Sequence, residues 1–135
     1  MSDPVAFLAA RLDEDEATAT RAAECDKLRM LGAERGLPPG DWSWLADYGQ
    51  PQPGDIALID HQVRFDPARE LREVAAKRRL IERYKNAVAA VTAGSVVSFR
   101  AGQDDGYAQA CLDAIRDATA AWADHPDYDQ EWAPT

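Results

Sequence analysis

The sequence predicts a mainly α fold: three long helices in an antiparallel bundle, a short Trp-bearing linking element and a clamped C-terminal tail. Three observations point there. Apolar residues recur at threes and fours over three long stretches. An aspartate stands at the start of each, twice followed directly by proline. A Pro- and Gly-rich run after the first stretch and a Gly-Ser pair after the second end those helices. We read residues 1–135 as one helical domain.

The central helix, residues 66–92, is the clearest element. Asp66 suits the N-cap, and Pro67 takes the first helical position, where its missing N–H costs nothing. Leu71, Val74, Ile81, Tyr84, Val88 and Val91 make one apolar stripe, and nothing interrupts it before Ala93-Gly94-Ser95. Glu73 precedes Lys77 by four residues, the favourable order for a surface ion pair. At 1.5 Å per residue the element is roughly 40 Å long. A compact chain of this size has a radius of gyration of about 14 Å. Either the molecule is elongated or part of this helix meets another chain.

The first helix spans about 4–31. Asp3-Pro4 repeats the Asp-Pro start, Val5, Leu8, Leu12, Ala19, Ala23 and Met30 mark its inner face, and Gly32 and Gly36 end it. Alanine on that face allows a neighbouring helix close approach. Asp13-Glu14-Asp15-Glu16 is a solvated acidic block or a partner for the basic central helix. Residues 36–65 are irregular. Trp42-Ser43-Trp44-Leu45 reads as a short strand or minimal hairpin, with both Trp on one face as a lid over the helix ends. Residues 48–54 read as a loop. Asp55 caps a short helix through Ile56, Ile59 and Val63, or residues 56–59 form a buried strand; periodicity does not arbitrate so short a run. Val96, Val97 and Phe99 belong to an apolar connector. The third helix, 105–124, is capped by Asp104 or Asp105 and faces inward with Ala108, Cys111, Ile115, Ala118 and Trp122. Pro126 disfavours helix in the residue before it. In the tail, 125–135, Tyr128 and Trp132 pin the chain back onto the fold.

The net charge of −9 is uneven. Residues 64–85 carry eight basic and four acidic side chains, whereas residues 101–135 carry one basic and eight acidic. The acidic total argues against bulk nucleic-acid affinity. Arg69, Arg72, Arg79 and Arg83 nevertheless share a face, flanked by Lys77 and Arg78, and such a face grips phosphates. Glu70, Glu73 and Glu82 interrupt it, and no nucleic-acid module surrounds it. No apolar run approaches a membrane span, and the N-terminus lacks a signal-peptide pattern, so a cytoplasmic location is expected. Cys25 and Cys111 read as small core residues.

No phosphate loop, nucleophile elbow, paired Cys-x-x-Cys or zincin motif is present, and no cofactor is expected. His61 and His125 each sit near carboxylates. They hold a divalent metal only if the tail folds against the start of the central helix; otherwise each closes a turn.

Two ordered motifs resemble a known family. They are His61-Gln62-Val63-Arg64-Phe65-Asp66-Pro67-Ala68-Arg69-Glu70-Leu71 with Ala76-Lys77-Arg78-Arg79, and Ala123-Asp124-His125-Pro126-Asp127-Tyr128 with Glu131-Trp132. The opening, Val5 to Glu16, is similar too. The family occurs in actinobacteria and their phages and is known only as a domain of unknown function. It usually has His where this chain has Phe65, and a Gly-Pro-Trp turn where the nearest equivalent here is Pro39-Gly40-Asp41-Trp42. The resemblance implies an accessory protein and supplies no catalytic residue.

The expected activity is therefore non-enzymatic, by interaction with a protein partner or with itself in a homo-oligomer. Arg69, Arg72, Lys77, Arg78, Arg79, Arg83, Trp42, Trp44, Tyr128 and Trp132 are the candidate contact residues. The alternatives are nucleic-acid binding or DNA mimicry, and a metal-dependent enzyme using His61 and His125.

Overall fold

The computed structural model describes residues 2–47, 53–94 and 98–133. It is mainly helical, with five α-helices among the described residues: α1 (Pro4–Ala23), α2 (Asp26–Ala33), α3 (Pro53–Arg64), α4 (Pro67–Thr92) and α5 (Ser98–Thr119). The three long helices α1, α4 and α5 pack together, and no strand occurs among the described residues. Of the loop read at 48–54, residues 48–52 lie outside those residues, whereas Pro53 and Gly54 open α3 and put Asp55 inside it rather than at its cap; of the connector, Val96 and Val97 lie outside them and Phe99 falls within α5. The chain forms two compact units, residues 1–12 with 76–135, and residues 13–75.

Both Asp-Pro starts are used as caps. Val5 N–H donates to Asp3 Oδ1 at 2.9 Å, and Arg69 N–H donates to Asp66 Oδ1 at 2.8 Å. Each satisfies one of the four orphan donors of a helix start. Helix α4 runs 26 residues, as its stripe predicts, and ends where Gly94 turns left-handed at φ 74°.

The stretch 4–31 is two helices instead of one. At Cys25, φ −56° and ψ 109° take the backbone out of the helical region, and Asp26 begins α2. Cysteine and aspartate are weak helix formers, and aspartate favours the first turn of a new helix. The break resets the helical phase. Met30, in line with Ala23 in an unbroken helix, is 62% exposed instead of inward-facing. Cys25 is likewise exposed rather than core, while Cys111 is buried as expected; both are free thiols. Past α2, Leu37 N–H donates to Gly32 O and Gly36 N–H to Ala33 O, with Gly36 at φ 73°. This is the Schellman stop the glycines predict.

Trp42–Leu45 is not a strand. Ser43–Asp47 form a 3-10 turn. Asp41 Oδ1 accepts both the N–H and the hydroxyl of Ser43, at 3.0 and 2.7 Å, and Leu45 N–H reaches Trp42 O. These local bonds outcompete a strand that finds no partner strand among the described residues. At three residues per turn Trp42 and Trp44 point different ways. Trp44 is buried, with its indole beside Gly32 and the Arg35 guanidinium 5.0 Å from its ring. Trp42 is only half-buried. Residues 56–62 are helical, within α3.

Helix α5 starts at Ser98, so Asp104 and Asp105 lie inside it rather than capping it. Gly102 and Gly106 both lie inside it, and each interior glycine weakens a helix by only about 1 kcal/mol. The helical path continues as a 3-10 turn to Trp122, close to where Pro126 requires it to stop.

In the unit formed by residues 1–12 and 76–135, Leu8, Leu12, Ile81, Ala87, Cys111 and Ile115 are buried. The tail closes over Phe7. Tyr128 and Trp132 lie with ring centroids 6.0 and 5.3 Å from Phe7 and stand edge-on to each other at 86°. His125 also meets Phe7, at 5.6 Å, and its Nε2 lies against the Arg11 guanidinium. Asp129 caps the last 3-10 turn through Glu131 N–H and accepts from the Ser2 hydroxyl.

Candidate functional site

A largely apolar cleft lies within residues 13–75. Helix α1 supplies Asp15, Thr18, Ala19 and Ala22, which share one face at spacings of three, four and seven. Phe65, Pro67 and Glu70 come from the α3–α4 junction, and Trp42 from the loop after α2. Together they enclose about 260 Å³.

Three hydrogen bonds place Trp42 there. Its N–H donates to Asp66 Oδ2 at 3.1 Å, while the other oxygen of that carboxylate caps α4. Ala68 N–H donates to Gly40 O at 3.1 Å. Gly40 adopts φ 82°, and a Cβ there would meet Ala23 Cβ at 3.0 Å and Pro67 Cβ at 3.1 Å. A single buried carboxylate and a single glycine thus pin the loop to the start of α4 and to the end of α1.

Phe65 is the apolar wall that solvent reaches: it is 50% exposed. Its ring is held from two directions. His61 lies 4.7 Å away at 34°, and the Arg69 guanidinium sits 4.6 Å from the ring centroid. Arg69 is itself fixed by Glu73 Oε1 and by the Arg64 carbonyl, each at 2.8 Å. Glu73 therefore pairs with Arg69, not with Lys77, whose ammonium lies 5.1 Å from the Trp122 ring. A cation on an aromatic face gains about 0.5–2 kcal/mol, enough to redirect a flexible lysine.

The candidate contact residues fall in both units: Trp42, Trp44, Arg69 and Arg72 in residues 13–75, and Lys77, Arg78, Arg79, Arg83, Tyr128 and Trp132 in the other. Arg69 is engaged as above, and Arg72 is exposed. Lys77 and Arg78 are half-buried, and Arg79 and Arg83 are exposed. Trp44, Tyr128 and Trp132 are buried at 5, 8 and 5% exposure, so their aromatic faces are used within the fold. Only Trp42 among the four aromatics lines the cleft. His61 belongs to the unit of residues 13–75 and His125 to the other. Among the described residues no three His, Cys, Asp or Glu groups are placed to hold a metal ion. Sequence reasoning missed Phe65, Thr18, Ala19 and Ala22 as site residues. The signal available was the alanine-rich face of α1 together with an aromatic directly ahead of an Asp-Pro cap.

Two carboxylates are held below the ordinary carboxylate range. Asp41 accepts the Ser43 hydroxyl and N–H, with Arg72 nearby, and Asp129 accepts the Ser2 hydroxyl and the Glu131 N–H. Unfolding returns both to a value near 3.8. Their contribution to stability is present above that value and is lost as pH falls through the lower folded values. The urea midpoint should hold from neutral pH to about pH 5 and drop steeply below about pH 4. Asp41→Asn should make that drop shallower. An unchanged acid limb would show that the Ser43 bonds do not stabilise the fold.

The profile of a family of unknown function (DUF6221) matches residues 1–134. No curated protein and no solved structure matches the chain. Since the match covers nearly its whole length, the chain belongs to the family of unknown function DUF6221.

Proposed function

We propose that the protein is a non-enzymatic accessory protein that acts by binding another protein, and that the Phe65–Trp42 cleft receives one apolar side chain of that partner. The observation that carries this reading is the half-exposed Phe65 in a walled apolar cleft of about 260 Å³. Small-molecule pockets run to about 300–1,000 Å³, so this cleft suits a single anchoring side chain better than a cofactor or substrate. Buried aromatic anchors of this kind dominate protein interfaces. The surrounding charge defines the partner's chemistry. Residues 13–75 contain fourteen acidic and seven basic side chains, a net −7, against −2 for the rest of the chain. The partner segment is a basic one, with a Leu, Met or Phe between Lys and Arg residues. By its resemblance to its relatives the protein would serve in the cytoplasm of an actinobacterium or of a phage-infected host.

A fluorescein-labelled peptide of alternating Lys and Arg around a central Leu-Phe pair tests the reading by anisotropy. Binding should weaken with added salt and fall at least tenfold in Phe65→Ala and in Thr18→Arg, which places a cation at the rim. Phe65 and Thr18 are both exposed, so neither change threatens folding. No binding by the wild type, or binding by both variants as tight as the wild type's, overturns the reading. Salt-sensitive capture of labelled DNA with no peptide affinity would favour the nucleic-acid alternative instead.

A further inference from the structure

A second surface, on residues 76–135, points to self-association. Four large apolar side chains are exposed among the described residues, and two of them, Val88 at 38% and Tyr107 at 55%, lie in this unit. Val88 follows Ile81 by seven residues, so the two stand within about 20° of one another on the helix. Ile81 is buried at 5% exposure, yet Val88 on the same face is not. The buried residue at that level is Ala87. Among the described residues the apolar stripe of α4 therefore runs on past its cover. It continues into a shallow groove lined by Tyr84, Lys85, Val88, Ala89, Thr92 and Ala93. Tyr107 of α5 borders a neighbouring groove with Arg83 and Asp104.

We propose that the occupant of the α4 groove is a second copy of this chain, packed about a two-fold axis so that each copy sets its Tyr107 against the other's Val88 and Ala89. Charge selects this occupant. Over residues 79–92, α4 carries Arg79, Arg83 and Lys85 against a single Glu82, which pairs with Lys85 at 3.2 Å and leaves the strip net positive, while Asp104 and Asp105 precede Tyr107 on α5. A two-fold contact is made of the same patch twice, so a basic strip on α4 meets an acidic strip on α5 in both halves. Two chains of net −9 repel elsewhere, and most strongly through residues 13–75; this surface is where a like partner is tolerated. The contact does not use the Phe65–Trp42 cleft and stands or falls apart from it.

Sedimentation equilibrium of the full chain reads the result. A concentration-dependent monomer–dimer equilibrium is expected. Val88→Glu and Tyr107→Ala should each raise the dimer dissociation constant at least tenfold. Lys85→Glu should do the same, and adding Asp105→Lys should restore most of the affinity by reversing the pair. Circular dichroism confirms that the variants fold, as Val88, Tyr107, Lys85 and Asp105 are all exposed. A chain that stays monomeric at all concentrations overturns the proposal. So does a dimer that neither Val88→Glu nor Tyr107→Ala weakens, or a charge swap without recovery.

Discussion

Trp132→Ala should destabilise the protein by about 4 kcal/mol, the scale of removing a large aromatic from a core. Trp132 is 5% exposed and is the last ring of a cluster with Phe7 and Tyr128. Its removal leaves Phe7 and Tyr128 facing a void, and the tail then rests on Tyr128 and His125 against Phe7, the His125–Arg11 contact, the Asp129 cap and the Ser2 bond. Edge-to-face aromatic contacts contribute about 0.5–1.5 kcal/mol each beyond area burial, and Trp132 stands edge-on to Tyr128 and tilted to Phe7. Urea unfolding followed by far-ultraviolet circular dichroism measures the loss. A fall below about 1 kcal/mol would mean that the tail rests on the surface and that the helices are stable without it. Trp132→Phe should recover much of the loss, because it restores most of the apolar volume.

Gly40→Ala should cost about 3 kcal/mol through two separable effects. The left-handed backbone at φ 82° disfavours any Cβ by roughly 1–2 kcal/mol. The added methyl also meets Ala23 Cβ at 3.0 Å, Pro67 Cβ at 3.1 Å and the Ala68 nitrogen at 3.2 Å. Two of those atoms belong to the start of α4, whose Ala68 N–H donates to the Gly40 carbonyl, so the clash and the hydrogen bond are relieved together or not at all. Overpacking of this kind costs about 1–3 kcal/mol. Gly36→Ala separates the terms. Gly36 is also left-handed, at φ 73°, but nothing lies within 4 Å of its would-be Cβ. That variant should lose only the backbone part, about 1 kcal/mol. Equal losses at both positions would show that the Gly40 contact has room to relax. Because the same loop carries Trp42, Gly40→Ala should also weaken peptide binding at the cleft, an effect Gly36→Ala should lack.

The local codes of this chain act where they are written. Asp3-Pro4 and Asp66-Pro67 start helices because an aspartate oxygen and a missing proline N–H answer needs confined to one turn. Gly36 and Gly94 end helices for an equally local reason, freedom at positive φ. The buried positions Leu8, Leu12, Val74, Ile81, Cys111 and Ile115 follow from a 3.6-residue period that any neighbour would exploit. What could not be read locally was decided by competition between distant parts. Glu73 took Arg69 and not Lys77, because the Trp122 ring lay within reach of the lysine. Trp44 and Trp42 parted company because Asp41 offered Ser43 two bonds and no second strand is present among the described residues. Asp66 carries no sign in sequence that its second oxygen would hold Trp42 N–H from 24 residues away. By itself the sequence determined the helical class, the capped starts and the apolar faces, since those depend on backbone geometry and spacing. Only the tertiary structure decided which aromatics are buried and which line a cleft, because burial depends on which neighbours arrive to cover a face.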